Sequence, residues 1–86
     1  MVITYSRVFK KMFKKNNTWV QNKFANNLLL FTQNVNHPLL NNHSLSGEWV
    51  GCRSINVTGD FRAVYEELGN DHFEFIAIGT HSELYS

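Results

Sequence analysis

Hydrophobic and polar positions along this chain change rhythm twice. Val2-Ile3-Thr4-Tyr5 is a short β-prone run and predicts a strand. From Arg7 to Lys15 the apolar residues fall at Val8, Phe9, Met12 and Phe13, the one-sided spacing of a helix, and Ser6 stands where an N-cap belongs. Asn16-Asn17-Thr18 interrupts that pattern. Val20, Phe24, Leu28 and Phe31 then restore it, with Ala25, Leu29 and Leu30 widening the stripe. This predicts a second helix from Trp19 to about Gln33, capped by Thr18. Two amphipathic helices joined by a short polar turn form a helical hairpin.

Val35 to Ser46 is polar, contains the only proline, Pro38, and reads as a loop. Beyond it the period shortens. Glu48–Val57, Phe61–Glu67 and His72–Gly79 read as three strands. Thr58-Gly59-Asp60 and Leu68-Gly69-Asn70-Asp71 supply the turns between them, so the strands make an antiparallel meander. The predicted order is β-α-α-β-β-β, an α+β fold in which an antiparallel sheet packs on the N-terminal helical hairpin. Neither half could bury a core alone, so residues 1–86 are expected to form a single domain.

Composition fits one small packed core: 43% of the 86 residues are hydrophobic and 14% aromatic, which argues against disorder. The net charge of +1 conceals a strong asymmetry. Arg7, Lys10, Lys11, Lys14, Lys15 and Lys23 stand in a stretch without acids, and all seven acids lie from Glu48 onward. The N-terminal surface is therefore expected to face a polyanion or an acidic partner. A single cysteine, Cys52, excludes an internal disulfide and the usual zinc patterns. No apolar run is long enough to cross a membrane, and the lysine-rich start lacks the apolar segment of a signal peptide. A cytoplasmic protein without metal or cofactor is the expectation.

The second half is dense in reactive groups. The runs Gly47-Glu48-Trp49-Val50-Gly51-Cys52-Arg53, Gly59-Asp60 and Gly79-Thr80-His81-Ser82-Glu83-Leu84-Tyr85, with His43-Ser44-Leu45-Ser46-Gly47 leading in, resemble the RelE/YafQ family of type II toxin–antitoxin toxins. The resemblance is specific over residues 42–86; before that only element order and basic character agree. It implies a RelE-like toxin domain that acts as a ribosome-dependent endoribonuclease on mRNA, an mRNA interferase neutralised by a cognate antitoxin. It also implies catalytic roles for His43, Asp60, His81 and Tyr85. Where such toxins can have a histidine on the first meander strand this chain has Asn56, which can orient or bind but cannot exchange a proton near neutrality.

Metal-independent RNA cleavage needs a base for the 2′-hydroxyl, donors at the phosphate and an acid for the 5′-oxygen leaving group. Histidine suits the proton transfers. His81, just past a strand end, is the first candidate and His43 the second; His37 and His72 are expected to be solvent-exposed or structural. Asp60 could orient a histidine, take the proton itself, or serve only its turn. Arg53 could clamp a phosphate oxygen or pair with an acid; Arg62 is the weaker candidate. Tyr85 could stack on a base, assist proton transfer or anchor the tail. Lys10, Lys11, Lys14 and Lys15 would hold RNA backbone without reading sequence. The competing expectations are a same-fold binding toxin, such as a ParE-like gyrase poison, a weakened relative that only engages its antitoxin, and a non-enzymatic RNA-binding module.

Overall fold

The computed structural model describes residues 1–85. Strand β1 (Val2–Tyr5) leads through Ser6 into helix α1 (Arg7–Lys15) and then α2 (Thr18–Gln33). The Ser6 hydroxyl accepts from Phe9 N (3.0 Å) and donates to Ile76 O (3.1 Å), so one side chain caps α1 and ties its start to the sheet. The cap of α2 is Asn17, not Thr18: its Oδ1 accepts from Val20 N at 3.0 Å, and Thr18 is already helical. Gln21 Nε2 reaches back to Asn16 O and to Phe13 O, which also accepts from Asn16 N, and so ties α2 to the end of α1.

The second half contains β2 (His43–Ser44), β3 (Arg53–Asn56), β4 (Phe61–Gly69), β5 (His72–Thr80) and a closing helix α3 (His81–Tyr85). Strand order across the sheet is β1-β5-β4-β3-β2. The meander β3-β4-β5 is antiparallel as expected, but β1 joins it parallel to β5, so the sheet is mixed. The strand expected from Glu48 begins only at Arg53. Gly47 and Gly51 take φ of +65° and +89° around a 3-10 turn at Gly47–Trp49, geometry that an extended strand does not permit. The expected loop contains a 3-10 turn at Pro38–Leu40 and the short strand β2, and the expected tail is helix α3. Asn70 and Asp71, with φ of 51° and 60°, make the β4–β5 turn a hairpin of the type that matches strand twist.

One face of the sheet carries the main core. Phe9, Val20, Phe24 and Phe31 from the helices meet Ile55, Ala63, Tyr65, Phe73, Phe75 and Ile78 from the strands, all buried. A bulge places Ile76 between the pairs Tyr65↔Phe75 and Val64↔Ala77, so Phe75 and Ile78 both reach this core although three positions apart. His37 accepts from Leu39 N within its turn, and His72 Nε2 lies 2.8 Å from Thr4 Oγ1 across the β1–β5 seam; both are structural, as expected.

Candidate functional site

Directly paired residues on neighbouring strands share a face of the sheet. His43 pairs with Ser54, Ser54 with Val64, Asn56 with Arg62, Arg62 with Gly79 and Val64 with Ala77. These residues share the face opposite the aromatic core. Arg53 pairs with Tyr65 and lies on the helix-covered side, where its Nε donates to Asn42 Oδ1 at 2.8 Å. The strand alternation thus takes Arg53 away from the other candidates and brings in Arg62.

On that second face a groove of about 740 Å³ opens between the 41–49 segment and α3, lined by His43, Trp49, Arg62, His81, Leu84 and Tyr85 among others. Leu84, which lines the groove, packs on Val64 and Ala77 in a small buried cluster beneath the floor. Four hydrogen bonds hold α3 over it. Thr80 N donates to Glu83 Oε1 (2.7 Å) while Glu83 N donates to Thr80 Oγ1 (3.1 Å), a reciprocal capping box. His81 N donates to Asp60 O at 3.0 Å, and the Trp49 indole donates to Leu84 O at 2.7 Å. Gly79 makes the close approach possible: a Cβ there would sit 3.0 Å from Glu83 Oε1.

The His81 and Tyr85 rings meet edge to face at 4.7 Å, as residues one helical turn apart do. The His81 ring nitrogens have no hydrogen-bond partner among the described residues, and the Tyr85 hydroxyl is buried without one. Arg62 Nη1 donates to the carbonyls of Thr58, Gly59 and Phe61 at 3.0–3.2 Å. This pins one arm of the guanidinium to the turn and leaves its remaining donors without a carboxylate partner among the described residues. His43 bonds Asn41 O through Nδ1 (2.8 Å) and lies 3.3 Å from Ser54 Oγ through Nε2.

Asp60 is exposed on its turn and does not line the groove; its link to the site is the backbone bond to His81. Asn56 does not line the groove either. Its Oδ1 is buried without a partner, while its carbonyl accepts from Asn27 Nδ2 at 2.7 Å. Lys10, Lys11, Lys14 and Lys15 are all exposed on α1. The C-terminal half of that helix lies beside the start of α3, since a Cβ on Gly79 would be 3.5 Å from Met12 Cε. Burial pushes the Cys52 thiol up from its ordinary range, with the Glu66 charge adding to the effect, so this thiol is a poor nucleophile. Burial likewise raises the Tyr5 phenol.

The sequence favours Arg53 over Arg62 and reads Trp49 as a strand residue, whereas the groove is lined by Arg62 and Trp49 and not by Arg53. The signal for Arg62 was its register opposite Asn56. That for α3 was Thr80-x-x-Glu83, a capping-box spacing legible without coordinates.

A family model described as the bacterial toxin of type II toxin–antitoxin system, YafQ, matches residues 1–86. No curated protein matches the chain by sequence. Among solved structures, YafQ from Escherichia coli BL21(DE3) is 26% identical with a TM-score of 0.78, over 98% of this chain and 97% of that one. The YafQ of the E. coli DinJ–YafQ complex is 27% identical, TM-score 0.71, with the same coverage. In fold alone, the chain also matches a YoeB–YefM complex structure from Staphylococcus aureus, at 20% identity and TM-score 0.75 over 94% and 97% of the chains.

Proposed function

Because the chain belongs to the YafQ family of type II toxin–antitoxin toxins, we propose that it is a ribosome-dependent endoribonuclease that cleaves mRNA by internal attack of the 2′-hydroxyl. The observation that carries this is the groove on the open sheet face, where His43, His81, Arg62 and Tyr85 converge. In the reaction the 2′-oxygen loses its proton and bonds to phosphorus. The bond to the 5′-oxygen breaks and that oxygen takes up a proton, leaving a 2′,3′-cyclic phosphate and a 5′-hydroxyl. His81, whose ring nitrogens have no hydrogen-bond partner among the described residues, serves the proton transfer, which contributes on the order of 10²–10⁴-fold. Arg62, held by its turn with donors to spare, binds the phosphate oxygens and stabilises the charge that develops there. Tyr85 stacks on a base beside the cut or assists at the leaving oxygen. Asp60 fixes the entry to α3 through its carbonyl.

The lysines of α1 supply attraction to RNA backbone, which an enzyme working inside a polyanionic particle requires. The substrate places the protein in the cytoplasm; no described helix is long and apolar enough to cross a membrane. The partner that restrains it is a cognate antitoxin, as in the DinJ–YafQ complex.

The test is expression without antitoxin, followed by mapping of 5′ ends of cellular mRNA. In-frame cuts inside translated codons, abolished by His81→Ala, are the expected result. Growth arrest with DNA-damage signalling and no such cuts would replace this reading with a gyrase poison.

A further inference from the structure

The two sides of the groove differ in charge. Arg62 and the α3 residues His81 and Tyr85 stand on one side, and the 41–49 segment on the other. On that second side is Glu48, the one carboxylate among the described lining residues, and it forms no ion pair with any described residue. Its backbone is anchored. Trp49 N donates to Ser46 O (3.3 Å) and Val50 N to Gly47 O (3.2 Å), which closes the 3-10 turn around Glu48. Leu45 N donates to Cys52 O across the base of the loop (3.0 Å), and the Trp49 indole bonds Leu84 O. The exposed carboxylate is thus presented to the groove from a fixed turn. A carboxylate can only accept hydrogen bonds. RNA phosphates are acceptors of the same charge, so the backbone is repelled from Glu48 and drawn to Arg62. What Glu48 can bind is a base edge that carries N–H donors, and the bases of single-stranded RNA expose their Watson–Crick edges to such contacts. Guanine offers N1–H and N2–H side by side, a match for the two oxygens of one carboxylate. Adenine and cytosine offer one amino group next to a ring-nitrogen acceptor, and uracil one N–H between two carbonyls; a carboxylate repels those acceptors.

We propose that Glu48 is a specificity-determining residue: its carboxylate selects a guanine beside the cut by accepting from N1–H and N2–H, while Arg62 holds that nucleotide's phosphate across the groove. The Tyr85 ring, which lines the same groove, covers the face of the base whose edge Glu48 reads. The role in cleavage rests on the ribonuclease reading; recognition of a free guanine nucleotide does not.

The first measurement is titration of the ¹⁵N-labelled protein with guanosine 3′-monophosphate and with inosine 3′-monophosphate, which differ only in the 2-amino group. The Trp49 indole N–H signal reports binding in the groove. Wild type is expected to bind the guanosine nucleotide about tenfold more tightly, the worth of one hydrogen bond to a charged group. Glu48→Gln keeps the shape of the exposed side chain but removes one acceptor and the charge, and should bring the two nucleotides within about twofold. Equal binding by wild type, binding of neither nucleotide, or a preference unchanged in Glu48→Gln would overturn the proposal. The second measurement is the map of mRNA cuts. Guanine is expected to be enriched beside the cut in wild type and not in Glu48→Gln; a wild-type map without that enrichment would also overturn it. A wild-type protein that cleaves nothing would remove the ribonuclease reading, and the two titrations would still decide the role of Glu48.

Discussion

On the helix-covered face of the sheet, Phe75 lies among Tyr5, Phe9, Phe24, Phe31 and Tyr65, with ring centroids 5.3–6.2 Å away. On the opposite face, α3 rests on Leu84 and on single hydrogen bonds from Trp49, Thr80, Glu83 and His81. The first arrangement is redundant, since each ring has several neighbours and none depends on one geometry. The second is sparse, and each bond sets the place of a particular group. Stability and site geometry therefore reside largely on opposite sides of one sheet. Damage to the aromatic side is expected to unfold the protein, while damage to the groove side is expected to misplace α3 or silence it.

The largest effect expected is that of Phe75→Ala. The residue is fully buried, and loss of a buried phenylalanine costs about 3–5 kcal/mol. Small domains hold only about 5–15 kcal/mol in total, so the urea midpoint of this variant should fall by roughly a fifth at least, and to near zero at the low end of that range. A loss below about 1 kcal/mol would show that the aromatic face is not what holds the fold. The contrasting lesion is His81→Ala. It removes an exposed side chain, so unfolding should shift by about 0.5 kcal/mol or less while cleavage falls on the order of 10²–10⁴-fold. Comparable damage to stability in the two variants would erase the distinction between the faces.

The two faces also differ in how far the sequence reveals them. The helix stripes Phe9, Val20, Phe24 and Phe31 are read directly from spacing, because a helix buries residues at a fixed period. So is the meander, whose turns carry glycine and asparagine or aspartate. The parallel β1–β5 pairing is not legible, because Val2 and His72 are 70 residues apart in the chain and no local pattern links them. On the groove face, β2 and α3 are too short for any period to emerge. The glycines at 47 and 51 interrupt a run whose composition alone reads as strand. Arg53 and Arg62 look alike in sequence; strand register alone separates the one bound to Asn42 from the one in the groove. His81 and Tyr85 stand out in the sequence because they sit in a recognisable motif, and both line the groove.

A smaller effect is expected from Trp49→Phe, which keeps a ring against the floor cluster but removes the donor to Leu84 O. One hydrogen bond is worth about 0.5–1.5 kcal/mol. The melting temperature should fall by several degrees, since about 1 kcal/mol moves a domain of this size by roughly 4–8 °C. Cleavage should fall further than that loss of folded protein accounts for, because α3 carries His81 and Tyr85. A variant that melts early but cleaves normally would show that Trp49 supports the fold rather than the site.

The finest test uses the capping box, where the two partners are chemically unequal. Thr80→Ala removes the acceptor for Glu83 N and should cost about 1 kcal/mol, the usual value for a lost N-cap. Glu83→Gln keeps a side-chain oxygen able to accept from Thr80 N, so only the charge in that bond is lost, a few tenths of a kcal/mol. Combined, the two changes should cost less than their sum, because Thr80 and Glu83 orient one another and the first change already loosens the second bond. Strict additivity would mean that each bond acts alone. The sparse face would then be a set of independent pins, and its control over the position of His81 would have to come from Trp49 and the Asp60 carbonyl.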